Sequence, residues 1–378
     1  MAQNEKNSDC KKKPLLLFSP LDWGLGHTTR CIPLLRQFFA LGFRIVVACN
    51  STQKRVLGEE LAQLEFVPLE GYDVKYSRNP ALLRMKITAQ LTNILTKVNL
   101  ENRWVRRYAA ENGVSLLVSD NRYGFRHPSV PSIFITHQLA PKTGISARID
   151  RLVQKFLYRY INRFTECWIP DSPSSKNLSG ILSHTNNNPA IPVQFIGPLT
   201  RFEQLPDAGE EDFLLIILSG PEPQRSLFEK NLLEQLKAVK KKIVFVRGLP
   251  ETNAMPGQLP NVEFYNHLSA DRLNRVAQQA QLVICRAGYT SLMDMLALKK
   301  KMIVVPTPGQ PEQEYLAAYL SAKNIVLQCS QQQFNLQHAL SMAETFTFNI
   351  PALDFTAYKE IVSERINMLC QTNVVPVY

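Results

Sequence analysis

A chain of 378 residues is long for a single hydrophobic core, so two domains are expected. With 45% hydrophobic and 20% charged residues the balance is that of a globular protein, and no run approaches the ~20 apolar residues of a membrane-spanning helix. The net charge of +11 points to anionic partners: phosphorylated ligands, nucleic acid or a membrane surface.

Seven widely spaced cysteines without a CxxC pair argue against a zinc site or a disulfide framework, and for a reducing, cytoplasmic setting. Residues 1–13 are polar, lack an apolar core and are expected to be a disordered lead-in rather than a secretion signal. A first buried strand follows over residues 14–18, then Ser19-Pro20-Leu21-Asp22-Trp23-Gly24-Leu25-Gly26-His27 and a helix to about Leu41. Gly24 and Gly26 suit the first two places of a dinucleotide fingerprint. Thr29 fills the third, however, and Asn50, after the strand at 43–49, stands where a ribose-binding acid belongs, which disfavours NAD. A long helix is predicted over 80–112. Strands at 115–119 and 131–136 lead into the polar loops Asp120–His127 and His137–Pro141, at the strand-exit end where open α/β sheets bind ligands.

Residues 146–164 form a basic amphipathic helix. Arg148, Arg151, Lys155, Arg159 and Arg163 share one side, and the apolar stripe from Ile149 to Phe164 is expected mainly to pack on the sheet. Such a helix also suits an anionic bilayer surface. After strands at 166–170 and 193–196, an acidic connector places the domain boundary at 201–212, between an N-terminal domain at 14–200 and a C-terminal one at 213–350. The second domain opens with a strand at 213–218, the loop Ser219–Arg225 and a helix to about Val239; strands follow at 243–246 and 262–265. Lys240–Lys242 and Lys299–Lys301 precede strands, the end away from ligands.

The most informative stretch is residues 281–315. The apolar run Leu282–Cys285 ends at Arg286-Ala287-Gly288, an amphipathic helix follows, and a second apolar run, Met302–Val305, stops at Pro306-Thr307-Pro308-Gly309. Gly288 stands where the helix starts, so free N–H groups there suit a phosphate. Ser291 lies in the first turn with Asp294 at i+3 on the same face, and Gln313 and Glu314 after the second strand offer an amide and a carboxylate to sugar hydroxyls.

This order of strand, C-R-x-G, helix with an acid, strand, P-x-P and Q-E-Y resembles the donor-binding core of inverting glycosyltransferases of the GT-B fold, near the family of the lipid-linked N-acetylglucosaminyltransferase of peptidoglycan synthesis. The resemblance implies an α/β protein of two Rossmann-like domains facing across a cleft, with the final helix at 351–378 crossing back onto the first domain. It implies a nucleotide-sugar co-substrate, of which a UDP-sugar is the usual form, and no other cofactor. Gly288 and Ser291 would then meet the diphosphate, Asp294 the ribose, and Gln313 and Glu314 the sugar, with Arg286 also on the donor-binding side. Asp294 is one methylene shorter than that family's glutamate. Backbone at Tyr265 and Asn266 would meet the base. Arg201, four residues after Gly197, matches the arginine of the family's G-N-P-V-R junction, and an arginine fork suits phosphate. Ser219 and Gly220 remain of a glycine-rich diphosphate loop in which this chain has two prolines, with Arg225 supplying charge instead. Gly24, Gly26, His137 and Gln138 fall on the acceptor side, where that family's H-E-Q-N becomes H137-Q138-L139 preceded by Thr136.

Transfer needs a base for the acceptor hydroxyl, and His27 is the candidate, with Asp120 as runner-up. There is no D-x-D triplet for a divalent cation, so the leaving charge is expected to fall on a helix N-terminus and arginine. The acceptor stays open between lipid, glycan and small molecule, and the expected location is cytoplasmic, peripheral at the inner face of the membrane. The rivals are a nonhydrolysing UDP-sugar epimerase and an inactive nucleotide-sugar-binding or membrane-docking component. Nucleic acid has only charge in its favour.

Overall fold

The computed structural model describes residues 13–72, 91–173 and 175–371; the expected lead-in and residues 80–90 of the long predicted helix lie outside these, apart from Lys13. The chain builds two parallel sheets. The first contains β1 (Leu15–Pro20), β2 (Arg44–Cys49), β3 (Glu65–Pro68), β4 (Val114–Asp120), β5 (Ser132–Ile135), β6 (Glu166–Ile169) and β7 (Val193–Phe195), in the spatial order 3-2-1-4-5-6-7. Among these run α1 (Leu25–Arg30), α2 (Ile32–Ala40), α3 (Ser51–Glu60), α4 (Leu91–Asn112) and α5 (Ala147–Ile161). The second contains β8 (Glu211–Ile217), β9 (Lys242–Val246), β10 (Val262–Tyr265), β11 (Ala280–Cys285), β12 (Met302–Val304) and β13 (Leu327–Gln328), in the order 10-9-8-11-12-13. Its helices are α6 (Gln224–Leu236), α7 (Ala270–Gln279), α8 (Tyr289–Ala297), α9 (Pro311–Ala322) and α10 (Leu336–Thr345), and α11 (Tyr358–Gln371) ends the described chain.

The apolar runs form these strands because both faces of each sheet are covered. In β1, Leu16 and Phe18 enter one core with Ile45, Val47, Leu116 and Val118, whereas Leu15 and Leu17 enter the opposite one with Val46 and Leu117. In β8, Leu215 and Leu214 part in the same way. The final helix belongs to the first lobe: Tyr358, Val362, Ile366 and Leu369 lie in the core with Leu34 and Phe38. Four buried side chains of this size contribute roughly 6–12 kcal/mol before the entropy of ordering the helix is subtracted. The chain therefore crosses between the lobes twice, before β8 and after the second lobe's last helix, α10. No helix among the described residues is long and apolar enough to cross a membrane.

Three local expectations change. The helix after β1 is two helices meeting at Cys31, because Pro33 in the first turn of α2 has no N–H to continue the ladder. The lysine triplets before strands meet the acidic connector: Lys241 pairs with Asp212, Lys242 with Glu211 at 3.6 Å and Lys300 with Glu210 at 3.3 Å. The apolar residues of α5 do not all face the sheet. Gln154, Tyr158 and Ile161 are buried there, whereas Leu152 stays 63% exposed.

Candidate functional site

Each sheet reverses its strand order once, between β1 and β4 in the first lobe and between β8 and β11 in the second. Crevices at such points are where doubly wound sheets bind ligands. β1 and β4 pair with Pro20 beside Asp120, which brings the loop and helix after β1 against the end of β4. His27 Nδ1 thereby donates to Asp120 Oδ2 at 2.8 Å, leaving the Nε2 lone pair available as a proton acceptor. Arg30, one turn further along α1 and 3% exposed, donates from Nε to both Asp120 oxygens at 3.1 and 3.2 Å, and from Nη2 as well. Its Nη1 donates to His137 Nδ1 at 2.7 Å. That bond fixes the His137 tautomer, so Nε2–H donates to Glu312 Oε1 in the opposite lobe at 2.7 Å.

Five side chains thus run in series from His27 through Asp120, Arg30 and His137 to Glu312. Three further contacts close the same seam. The His137 ring stacks on Tyr289 with centroids 4.2 Å apart, and the Tyr289 hydroxyl donates to the Pro170 carbonyl. Thr290 Oγ1 donates to the Gly26 carbonyl at 3.0 Å; a Cβ at Gly26 would stand 3.3 Å from that same oxygen, so glycine lets the lobes meet here. His27 and the start of α8 are consequently on the same side of the molecule.

The electrostatics follow from burial against charge. Burial lowers the His27 pKa and the Arg30 charge lowers it further; Asp120 offsets only part of this, so the imidazole sits below its usual value. Burial opposes ionisation of Asp120, but Arg30 and His27 outweigh it and hold the carboxyl below its ordinary value. Glu312 is lowered likewise: burial resists, and His137 prevails with His27 and Arg30 behind it.

On the second lobe, Gly288 begins α8 with no side-chain cap, so the first N–H groups of the helix remain free donors, and a Cβ there would meet nothing within 4 Å. Ser291 is half-buried in the first turn. Across the crevice, Ser219 is half-buried and Gly220 exposed with φ +99°, a conformation that favours glycine. A Cβ on Gly220 would lie 3.5 Å from Thr307 Oγ1, a buried hydroxyl without a hydrogen-bond partner. Gly220, Thr307 and the start of α8 all follow the exit ends of neighbouring parallel strands, β8, β12 and β11. Glu314 and Gln313 brace the loop after β12: Glu314 Oε1 accepts from Gly309 N at 2.9 Å, and Gln313 Oε1 from Thr307 N at 2.9 Å.

Several expected positions are engaged elsewhere. Arg225 spends its donors on Glu222, Glu229, Ser226 and the Arg247 carbonyl, so it supplies no free charge to a phosphate. Arg286 is 1% exposed, donates to the Val305 and Gln224 carbonyls and lies 4.6 Å over the Phe228 ring, which ties β11, the end of β12 and α6 together; its buried Nε has no partner. Burial, with Arg225 nearby, lowers its pKa to about 10. Asp294 is 3% exposed, accepts from Thr200 Oγ1 at 2.8 Å and pairs with Arg201 Nε at 3.2 Å. The expected ribose ligand and the expected phosphate ligand thus hold each other at the interlobe connector. The Tyr265 and Asn266 carbonyls already accept from Arg247 N and Leu249 N, and the Asn266 amide binds Arg247 and Thr252. Of the acceptor-side residues, His137 is drawn into the relay, Gln138 Nε2 lies 3.3 Å from it, and Gly24 is exposed. Asp120 is fully buried, which leaves it no path to an acceptor proton and makes it the partner of His27.

Sequence reading missed Arg30, Tyr289, Thr307 and Glu312. Arg30 had a usable signal, since i and i+3 share a helix face and His27 lies three residues before it. Glu312 adjoins Gln313, and only the fold shows that it points at His137.

Comparison with known proteins agrees with this architecture. Residues 218–347 match the glycosyltransferase family 28 C-terminal domain. A curated relative from Methanosarcina mazei, described as an uncharacterized glycosyltransferase, is 24% identical over 345 residues, covering 82% of this chain and 88% of the relative. The glycosyltransferase of kitacinnamycin superposes with a TM-score of 0.60 at 18% identity, over 94% of this chain and 95% of that one. MurG of Acinetobacter baumannii does so at 0.53 and 16%, over 95% and 99%. The chain has the GT-B fold, and its C-terminal lobe matches the glycosyltransferase family 28 C-terminal domain over residues 218–347.

Proposed function

We propose that this protein transfers a sugar from a nucleotide diphosphate sugar, a UDP-sugar in the first instance, to an acceptor hydroxyl, with inversion and without a metal ion. The observation that carries the reading is the His27–Asp120 pair, set within one bonded contact, Gly26 to Thr290, of the uncapped start of α8. His27 Nε2 takes the acceptor proton as the hydroxyl oxygen attacks the anomeric carbon. Asp120 holds the imidazole in that tautomer and stabilises the imidazolium that results. As the new glycosidic bond forms, the bond to the diphosphate oxygen breaks, and its electron pair leaves on the diphosphate. The first N–H groups of α8, with Ser219, Gly220, Ser291 and Thr307, meet that charge; one lost donor of this kind costs roughly 3–4 kcal/mol in the transition state. A single displacement inverts the anomeric centre. Gln313 and Glu314 are the side chains this reading assigns to the transferred sugar. The reading includes a cytoplasmic position, peripheral at a membrane.

Calorimetry against UDP-, GDP- and dTDP-sugars, followed by NMR of the anomeric product with acceptor panels, tests the proposal. Binding of a UDP-sugar and an inverted glycoside are the expected results. Conversion of the donor alone into an epimeric nucleotide sugar would replace transfer with epimerisation.

A further inference from the structure

The first lobe carries a second surface that the transfer reaction does not use. α5 turns Arg148, Arg151, Lys155 and Arg159 to solvent, and Arg163 follows just beyond its end. Leu152 stands among them, at i+4 from Arg148 and i−3 from Lys155, and is 63% exposed; Ile145, just before the helix, is 57% exposed. The one acidic side chain of α5, Asp150, is occupied by the Thr143 hydroxyl at 2.6 Å and by Lys142 at 3.5 Å, so it does not neutralise this face.

α4 lies alongside, with Tyr160 of α5 packing with Ile94 and Val98, and exposes Arg103, Arg106 and Arg107. Between the helices, Arg126 is half-buried, with a buried Nε that has no partner; burial and then the charges of Arg163 and Arg106 hold it below its usual value. Phe156 and Tyr160 meet edge to face at 5.4 Å, and Arg163 lies 5.5 Å over the Tyr160 ring. Cations interleaved with outward aliphatic side chains and marginal aromatics match an interface of lipid headgroups and acyl chains. A nucleic acid would reward the charge but gain little from Leu152 and Ile145.

We propose that α5, with the adjoining arginines of α4, is a docking surface for an anionic lipid bilayer, in which Leu152 and Ile145 enter among the acyl chains while the surrounding cations meet lipid phosphates. This deepens the peripheral location within the functional reading above and is independent of its transfer chemistry. Because a helix between parallel strands runs back along the sheet, the Ile145–Leu152 end lies at the strand-exit side, the side of His27. A bilayer held there would bring a lipid-linked hydroxyl beside the base.

The test is flotation of the full chain with vesicles of phosphatidylglycerol and phosphatidylcholine, against phosphatidylcholine alone, which needs neither donor nor turnover. Binding to the anionic vesicles only, reversed by about 0.5 M salt, is expected. At about fivefold per cation near the surface, R151Q/K155Q/R159Q should lower partitioning roughly a hundredfold. L152W, with all cations intact, should show a blue-shifted emission component on anionic vesicles that the native protein lacks. No flotation at low salt, native-like flotation of the triple variant, or vesicle-bound L152W without that blue-shifted component would each overturn the proposal. Single-stranded RNA binding in place of vesicle binding would overturn it in favour of a nucleic acid.

Discussion

Asp120→Asn separates two jobs that one carboxylate performs. In the first, its charge balances Arg30, which is 3% exposed and donates to it from Nε and Nη2. Removing one partner of a buried ion pair costs about 3–5 kcal/mol, because the survivor is left uncompensated. At about 2–4 °C per kcal/mol for a lobe of this size, the first lobe should melt roughly 6–20 °C lower. In the second job, the carboxylate accepts from His27 Nδ1 and, in the mechanism proposed above, favours the imidazolium that would form as the acceptor loses its proton. An asparagine can still accept that hydrogen bond but brings no charge, so turnover should fall by about 10²–10⁴. The two effects divide in Arg30→Met/Asp120→Asn, where an apolar side chain replaces the stranded guanidinium. Melting temperature should recover most of the loss, since replacing a buried pair outright is often near neutral, while turnover stays low. Thermal denaturation by circular dichroism and initial rates of glycoside formation read the two quantities. If Asp120→Asn keeps its rate within a few-fold at a temperature where it is folded, the His27–Asp120 pair is not the base and the mechanism is wrong.

The rate should also depend on pH with one acid limb. A base must be unprotonated, and the His27 pKa is depressed, so kcat/KM should rise through a value below 6.5 and be level at neutrality; a limb above 6.5 would contradict the burial argument. Asp294→Ala should destabilise the protein by about 3 kcal/mol by releasing Arg201, and calorimetric affinity for UDP should change less than tenfold if the connector is its role. A stable variant with lost UDP binding would return Asp294 to the ribose. Ile366→Ala, far from the first lobe in sequence, should cost that lobe about 2–4 kcal/mol by urea denaturation, because α11 completes its core. Thiol titration of the native protein should find Cys49 and Cys285 unreactive at pH 8, since burial pushes both up to about 12; rapid labelling would mean that the cores open.

Chain order alone carried the architecture. Apolar runs of strand length alternating with helical periods define two parallel sheets, because a strand covered on both faces has to be apolar throughout. The same logic placed Gly288 at a helix start and His27 and Asp120 at strand exits, since ligand loops in such sheets leave the carboxyl ends. Pairing across distance was another matter. Arg286, Arg225 and Asp294 belong to the residue types that bind phosphate and ribose, and their sequence spacing is compatible with it. Arg286 and Asp294 take partners far away in the sequence, Val305 and Gln224 for the first and Thr200 and Arg201 for the second, whereas Arg225 is held mainly by its neighbours Glu222 and Glu229. The relay through Arg30 and His137 to Glu312 is of the same kind, joining positions up to 175 residues apart. Local sequence governs which backbone hydrogen bonds a segment can make. Which buried charge finds which counter-charge is decided by tertiary packing, within the first lobe for Arg30 and Asp120 and between the lobes for His137 and Glu312.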